Sequence, residues 1–119
     1  KNVWYNKEKF SAWGGVLTTA SDLVFYGTLD RWFKAVDAQS GKELWKFQVG
    51  SGVIGNAFTY GHKGKQYVGV LSGIGGWAGV AMNLGMTNPT DALGAAGGYA
   101  ELTKYNAAPG GGALNVFSL

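Results

Sequence analysis

The alternation of apolar and polar positions is cleanest over Glu43-Leu44-Trp45-Lys46-Phe47-Gln48-Val49. Leu44 and Lys46 fall on one face, and Trp45, Phe47 and Val49 on the other. A period of two over this length predicts a half-buried β-strand. Three shorter runs precede it. Leu17–Ala20 ends at the turn pair Ser21-Asp22, Leu23–Tyr26 ends at Gly27, and Trp32–Asp37 follows the connector Thr28-Leu29-Asp30. The polar turn Ala38–Lys42 separates the third run from the fourth. Four short strands joined by tight turns predict an antiparallel meander.

A second unit follows. Gly55–Tyr60 predicts a strand, Gly61-His62-Lys63-Gly64-Lys65 a hairpin turn, and Gln66–Leu71 the returning strand. Residues 72–111 then lose the alternation. They are rich in Gly and Ala, contain Asn88-Pro89 and Pro109-Gly110, and hold at Tyr99–Tyr105 enough helix-compatible sequence for two turns. The strand pattern resumes at Ala113–Ser118. Residues 31–38 and 112–119 match in their small and apolar positions at an offset of 81 residues. Removing an insertion of roughly 35 to 40 residues leaves a period of about 40 to 45, the length of a propeller blade. The expected architecture is all-β: most of two antiparallel four-stranded blades, with one short helix in the excursion at 72–111.

Composition narrows the function. Of 119 residues, 21 are Gly, and aromatics make up 14%. Gly for turns and aromatics for half-buried faces suit a β protein. Charged residues are also only 14%, and the net charge of +3 is spread without any run of Lys or Arg. A phosphate-tracking surface, and with it a nucleic-acid partner, is therefore not expected. The absence of Cys removes internal disulfides and thiolate metal sites. The chain begins at Lys1 without Met and stops just after the apolar run Leu114–Phe117, which reads as a piece of a longer protein.

The sharpest motif is Ala35-x-Asp37-x-x-x-Gly41-Lys42-Glu43-x-Trp45. Asp37 ends a strand and is placed to accept hydrogen bonds from turn amides. Gly41 supplies a positive φ. Trp45 is a large flat side chain suited to wedging between neighbouring sheets. This pattern resembles the tryptophan-docking motif of the eight-bladed propellers of quinoprotein dehydrogenases, which use pyrroloquinoline quinone (PQQ). Trp13-Gly14-Gly15, Thr19–Asp30, Ser51–Asn56, Gly64–Val68 and Gly73-Ile74-Gly75-Gly76-Trp77 extend the likeness to the C-terminal part of methanol dehydrogenase large subunits. Leu71-Ser72-Gly73 and Gly94–Gly98 resemble the lanthanide-dependent branch more than the calcium branch.

The resemblance implies that residues 1–119 are the C-terminal portion of a single PQQ-type propeller domain. It implies oxidation of a primary alcohol in the periplasm, during methanol utilisation, with electrons passed to a c-type cytochrome. The full-length protein would be a homodimer or a complex with a small subunit. The metal, a lanthanide or Ca²⁺, and the catalytic base would be held by residues outside this chain. None of Glu8, Asp22, Asp30, Asp37, Glu43, Asp91 and Glu101 matches those positions, so no catalytic or metal-binding residue is assigned and the segment alone is expected to be inactive. One contact is implied here: Trp13 matches a tryptophan lining the PQQ pocket. Its indole N–H is a donor, and Gly14 and Gly15 let backbone approach closely. A PQQ-like propeller that binds no cofactor and serves as an assembly scaffold is the alternative.

Other candidates are weaker. His62 lacks the companions a metal site needs and reads as a solvated turn residue. Trp32 and Trp77 read as packing residues, and Trp4 gives no signal. Gly73-x-Gly75-x-x-Ala78 has the outline of a dinucleotide fingerprint. It is set aside because Gly79 and Gly85 interrupt the helix it requires and the flanking strands look antiparallel.

Overall fold

Three left-handed residues turn the first half of the chain back on itself. Asp22 (φ 59°), Arg31 (φ 77°) and Gly41 (φ 73°) each sit in a reversal between strands. Around them the computed structural model, which describes residues 1–86, 102, 104 and 111–119, forms β1 (Leu17–Thr18), β2 (Leu23–Gly27), β3 (Trp32–Asp37) and β4 (Glu43–Gln48). They make one antiparallel sheet in the order β1-β2-β3-β4, the expected meander. β1 is shorter than its apolar run because Thr19 already belongs to the turn, where its N–H donates to the Leu23 carbonyl at 2.9 Å.

The second sheet contains β5 (Phe58–His62), β6 (Lys65–Ser72) and β7 (Ala113–Ser118), in the order β5-β6-β7 and antiparallel throughout. β7 is third in its sheet, as β3 is in the first. The 81-residue offset therefore pairs strands in equivalent places. Three expectations need correction. Gly55–Ala57 are not strand; β5 starts at Phe58. His62 is not in the turn but closes β5 opposite Lys65, because the left-handed pair Lys63 (φ 49°) and Gly64 (φ 77°) makes a tighter, two-residue reversal. A helix, α1 (Gly76–Asn83), does follow β6 despite Gly79. The dinucleotide reading still fails, on the antiparallel pairing of β6 with both neighbours. The expected helix at Tyr99–Tyr105 lies outside the described residues except for Leu102 and Lys104.

The sheets pack face to face. Phe25, Phe33 and Ala35 of the first sheet, Val49 and Val53 of the connecting segment, and Val68 and Val70 of β6 form one buried cluster. Phe33 is fully buried and stacks on Phe25 at 5.8 Å and on Phe117 of β7 at 5.7 Å between ring centroids. A smaller cluster joins Leu29 of the β2–β3 turn to Ile74 and Leu102, with Phe10 and Ile54 against it.

β4 departs from its clean alternation. Ala35 faces Trp45 but Val36 faces Glu43, so Leu44 is left over as a bulge. Leu44 and Trp45 therefore both border the groove beside β7, where strict alternation would have put them on opposite faces. Trp45 lies 37% exposed at that groove's edge and is not sealed in a core. It still spans the two sheets, edge-on to Phe33 (6.2 Å) and to Phe117 (5.1 Å) and stacked on Phe47 (6.3 Å).

Candidate functional site

The docking motif behaves as its chemistry requires. Asp37 Oδ1 accepts from the amides of Gln39 (3.1 Å) and Ser40 (2.7 Å) and from the Ser40 hydroxyl (2.7 Å). Those bonds, the Ser40 hydroxyl foremost, hold the Asp37 carboxyl below its ordinary value. Gly41 is left-handed (φ 73°), and a Cβ there would also strike the Trp4 ring, 2.5 Å away. Trp4 in turn donates from Nε1 to the Ala38 carbonyl at 2.8 Å, and Asn6 Nδ2 donates to the Gly41 carbonyl at 3.0 Å. Trp4, which carried no sequence signal, is thus the residue that pins the N-terminal arm to the docking turn. A cue existed only in Gly41, whose missing side chain leaves room for a ring.

The same arm closes a charged cluster on the face of the first sheet turned away from the core. Lys34 Nζ donates to both Glu8 oxygens (2.9 and 3.0 Å), and Tyr26 Oη donates to Glu8 Oε1 at 2.6 Å. Glu43 stands 3.6 Å from Lys34 and 3.3 Å from Lys46. Lys46 also sits 5.0 Å over the Trp32 ring, so Trp32 is packed beneath a cation, half-buried. Burial, then the bond to Glu8, raises the Tyr26 phenol well above its ordinary value.

Trp13 lies elsewhere. It precedes β1, is 42% exposed, and starts a segment located by residues 54–56. Gly14 approaches the Gly55 carbonyl so closely that no Cβ would fit between them, and the Gly15 N–H donates to Asn56 Oδ1 at 2.6 Å. From the opposite side the strand end of β6 reaches the same segment. Gly73 N–H donates to the Gly52 carbonyl at 2.8 Å, and Val53 bridges Gly73 in parallel. The Gly-rich run after Gly73 leads to Trp77 at the start of α1. Trp77 is 71% exposed within this chain, so none of the described residues buries the ring. Residues 52–56 thus contact both the segment that follows Trp13 and the strand end that leads to Trp77. A cavity of about 400 Å³ opens beside them, lined by Ile54, Gly55, Ser72, Gly73, Gly112 and Leu114 among others.

Among the described residues no group of three or more His, Asp or Glu is placed to hold a metal ion. His62 stands exposed on the β5–β6 hairpin, away from Trp13 and without an acidic pairing partner opposite it in the ladder, where it faces Lys65.

Comparison with known proteins follows the same lines. Residues 2–68 match the family model described as glucose/ethanol/alcohol dehydrogenase, beta-propeller domain. Over all 119 residues the chain is 60% identical to a lanthanide-dependent methanol dehydrogenase of Methylorubrum extorquens, of which it covers 20%. Over 116 residues, 98% of the chain, it is 49% identical to a methanol dehydrogenase [cytochrome c] subunit 1 of the same organism, of which it covers 18%. Among solved structures, a europium-containing methanol dehydrogenase superposes on the whole chain with a TM-score of 0.86 at 48% identity, the chain covering 21% of it. The chain therefore spans about a fifth of the length of the relatives it matches.

Proposed function

The chain belongs to the glucose/ethanol/alcohol dehydrogenase β-propeller family, and from that premise we propose that it is the C-terminal part of a PQQ-dependent methanol dehydrogenase. The two sheets are then neighbouring blades of one propeller, and residues 72–111 an excursion between the second and third strands of the later blade. The observation that carries the reading is the match along the whole chain to a lanthanide-dependent methanol dehydrogenase. The difference between 60% and 49% identity to two relatives from one organism supports the lanthanide-dependent type over the other. Substrate, periplasmic location and transfer of electrons to a c-type cytochrome belong to this proposal, the last supported by the cytochrome c named for the second relative.

The residues present suit the cofactor in one respect. Trp13 offers an aromatic plane and an N–H donor beside a glycine pair pressed against a neighbouring peptide, which is what a flat, carbonyl-bearing ring system needs from one wall of its pocket. Bound quinone supplies the two-electron acceptor for conversion of a primary alcohol to the aldehyde. This chain contributes to that chemistry by binding and orientation. Residues that would polarise the quinone carbonyl through a metal, or remove the alcohol proton, are assigned outside it, so residues 1–119 by themselves are not a sufficient catalyst.

The test is the cofactor content of the full-length protein, read from quinone absorbance, with and without Trp13→Phe. The substitution keeps most of the ring and removes the donor. PQQ binding is expected to weaken by about 1–3 kcal/mol, with apo-protein melting unchanged. A full-length protein with no quinone absorbance after reconstitution would remove the enzyme reading. Full binding by Trp13→Phe with a lowered melting temperature would make Trp13 a packing residue.

A further inference from the structure

Trp13 stands outside any strand, and the two residues after it are Gly14 and Gly15. Glycine has the widest backbone freedom of any residue, so this segment would let the indole point in many directions unless something fixes it. The Asn56 side chain supplies one anchor beside the close approach of Gly14 to Gly55: its Oδ1 accepts the Gly15 N–H at 2.6 Å, joining positions 41 residues apart. The donor is a backbone amide, so the bonded Asn56 atom must be its oxygen. Asn56 is itself exposed and lies in no strand, which leaves it little part in the core.

We propose that Asn56 is a positioning residue for the cofactor. Its side-chain oxygen fixes the peptide two residues beyond Trp13 and so sets the direction of the indole. The inference rests on the reading of Trp13 as a wall of the PQQ pocket. It differs from that reading in naming a residue that helps prepare Trp13 before the ligand arrives. Preorganisation of this kind lowers the ordering cost of binding without adding a contact to the ligand. The acceptor alone matters: Asp at position 56 retains it, whereas Leu, of similar size, does not.

The experiment titrates PQQ into the full-length apo-protein, follows quinone absorbance, and records apo-protein melting in parallel. Asn56→Leu, Asn56→Asp, Trp13→Phe and the Trp13→Phe/Asn56→Leu double variant are compared with the parent. Asn56→Leu is expected to weaken PQQ binding about five- to tenfold, the effect of one hydrogen bond. Asn56→Asp should remain within about twofold. Apo-protein melting should not move, as for other exposed substitutions. The double variant should lose less than the sum of the two single losses, because both act through one indole. Weak binding by Trp13→Phe with unchanged binding by Asn56→Leu overturns the positioning role and leaves Trp13 in the pocket. Unchanged binding by Trp13→Phe overturns both. Equal losses in Asn56→Leu and Asn56→Asp, or a lowered melting temperature in Asn56→Leu, overturn the positioning role in favour of a structural one.

Discussion

The face of the first sheet turned away from the core carries Tyr26, Trp32 and Lys34, and the N-terminal arm lies against it with Glu8 between the phenol and the ammonium. The corresponding face of the second sheet carries Phe58, Tyr60, Leu71, Leu114 and Val116, all exposed. On the first, polar atoms are paired within the chain. On the second, Phe58 stacks on Tyr60 and Tyr60 on Tyr67, at 6.3 and 5.2 Å. A soluble surface seldom keeps so many apolar side chains together. In the proposed propeller this face meets the next blade, and the paired polar face of the first sheet shows how the same β scaffold looks once its own chain has covered it.

Removing the shared core would break the comparison most severely. Phe33 touches Phe25 in its own sheet and Phe117 in the other. Phe33→Ala is expected to cost about 3–5 kcal/mol in the full-length protein, measured by denaturant unfolding. A loss below about 1 kcal/mol would mean that the sheets are not held by this cluster.

Two glycine substitutions sharpen it. A Cβ on Gly41 meets the Trp4 ring, and a Cβ on Gly69 meets the Phe58 ring. Trp4 is tied by its bond to the Ala38 carbonyl, and Gly41 is left-handed, so neither can yield. Phe58 is exposed in this chain, but in the proposed propeller the next blade covers it. Gly41→Ala and Gly69→Ala should therefore each cost about 1–3 kcal/mol in the full-length protein. If thermal unfolding of the full-length protein shows a Gly69→Ala cost well below that of Gly41→Ala, Phe58 is free to swing outward and the next blade does not cover it.

The smallest effect is an alkaline one. Tyr26 keeps its proton in the folded protein above its ordinary pKa of 10.0, through burial and the bond to Glu8. The unfolded chain releases that proton first, so this contribution is complete below pH 10 and declines as pH rises beyond it. Tyr26→Phe should flatten the loss of stability measured between about pH 10 and 12.

Local chemistry was the legible part of the sequence. Trp32–Asp37 and Ala113–Ser118 form strands with the bounds their alternation gives, and the Asp37 and Gly41 turn follows from side-chain acceptor and backbone freedom alone. What failed were features that alternation and single-residue propensity do not show. His62 joins a strand because Lys63 and Gly64 complete the reversal without it, and α1 forms over Gly79 although the glycine lowers its propensity. Leu44 leaves its face because the partner strand shifts register. At the candidate site, Trp13 was visible through the family pattern. Asn56 was not, because a bond over 41 residues leaves no periodic trace.

The pairing of β6 with β7 has a kinetic consequence. β5 and β6 are joined by two residues, and β6 and β7 by forty. Closing the longer connection costs about 2–3 kcal/mol more chain entropy on a logarithmic length scale, so the meander and the hairpin should assemble early and β7 late. Until it arrives, Val68 and Val70 have an open strand edge beside them and lack the Phe117 ring that later bridges the two sheets. Newly made chains therefore pass through a stage in which β6 is a sticky edge, and the interval before β7 docks is when this part of the protein is most exposed to aggregation.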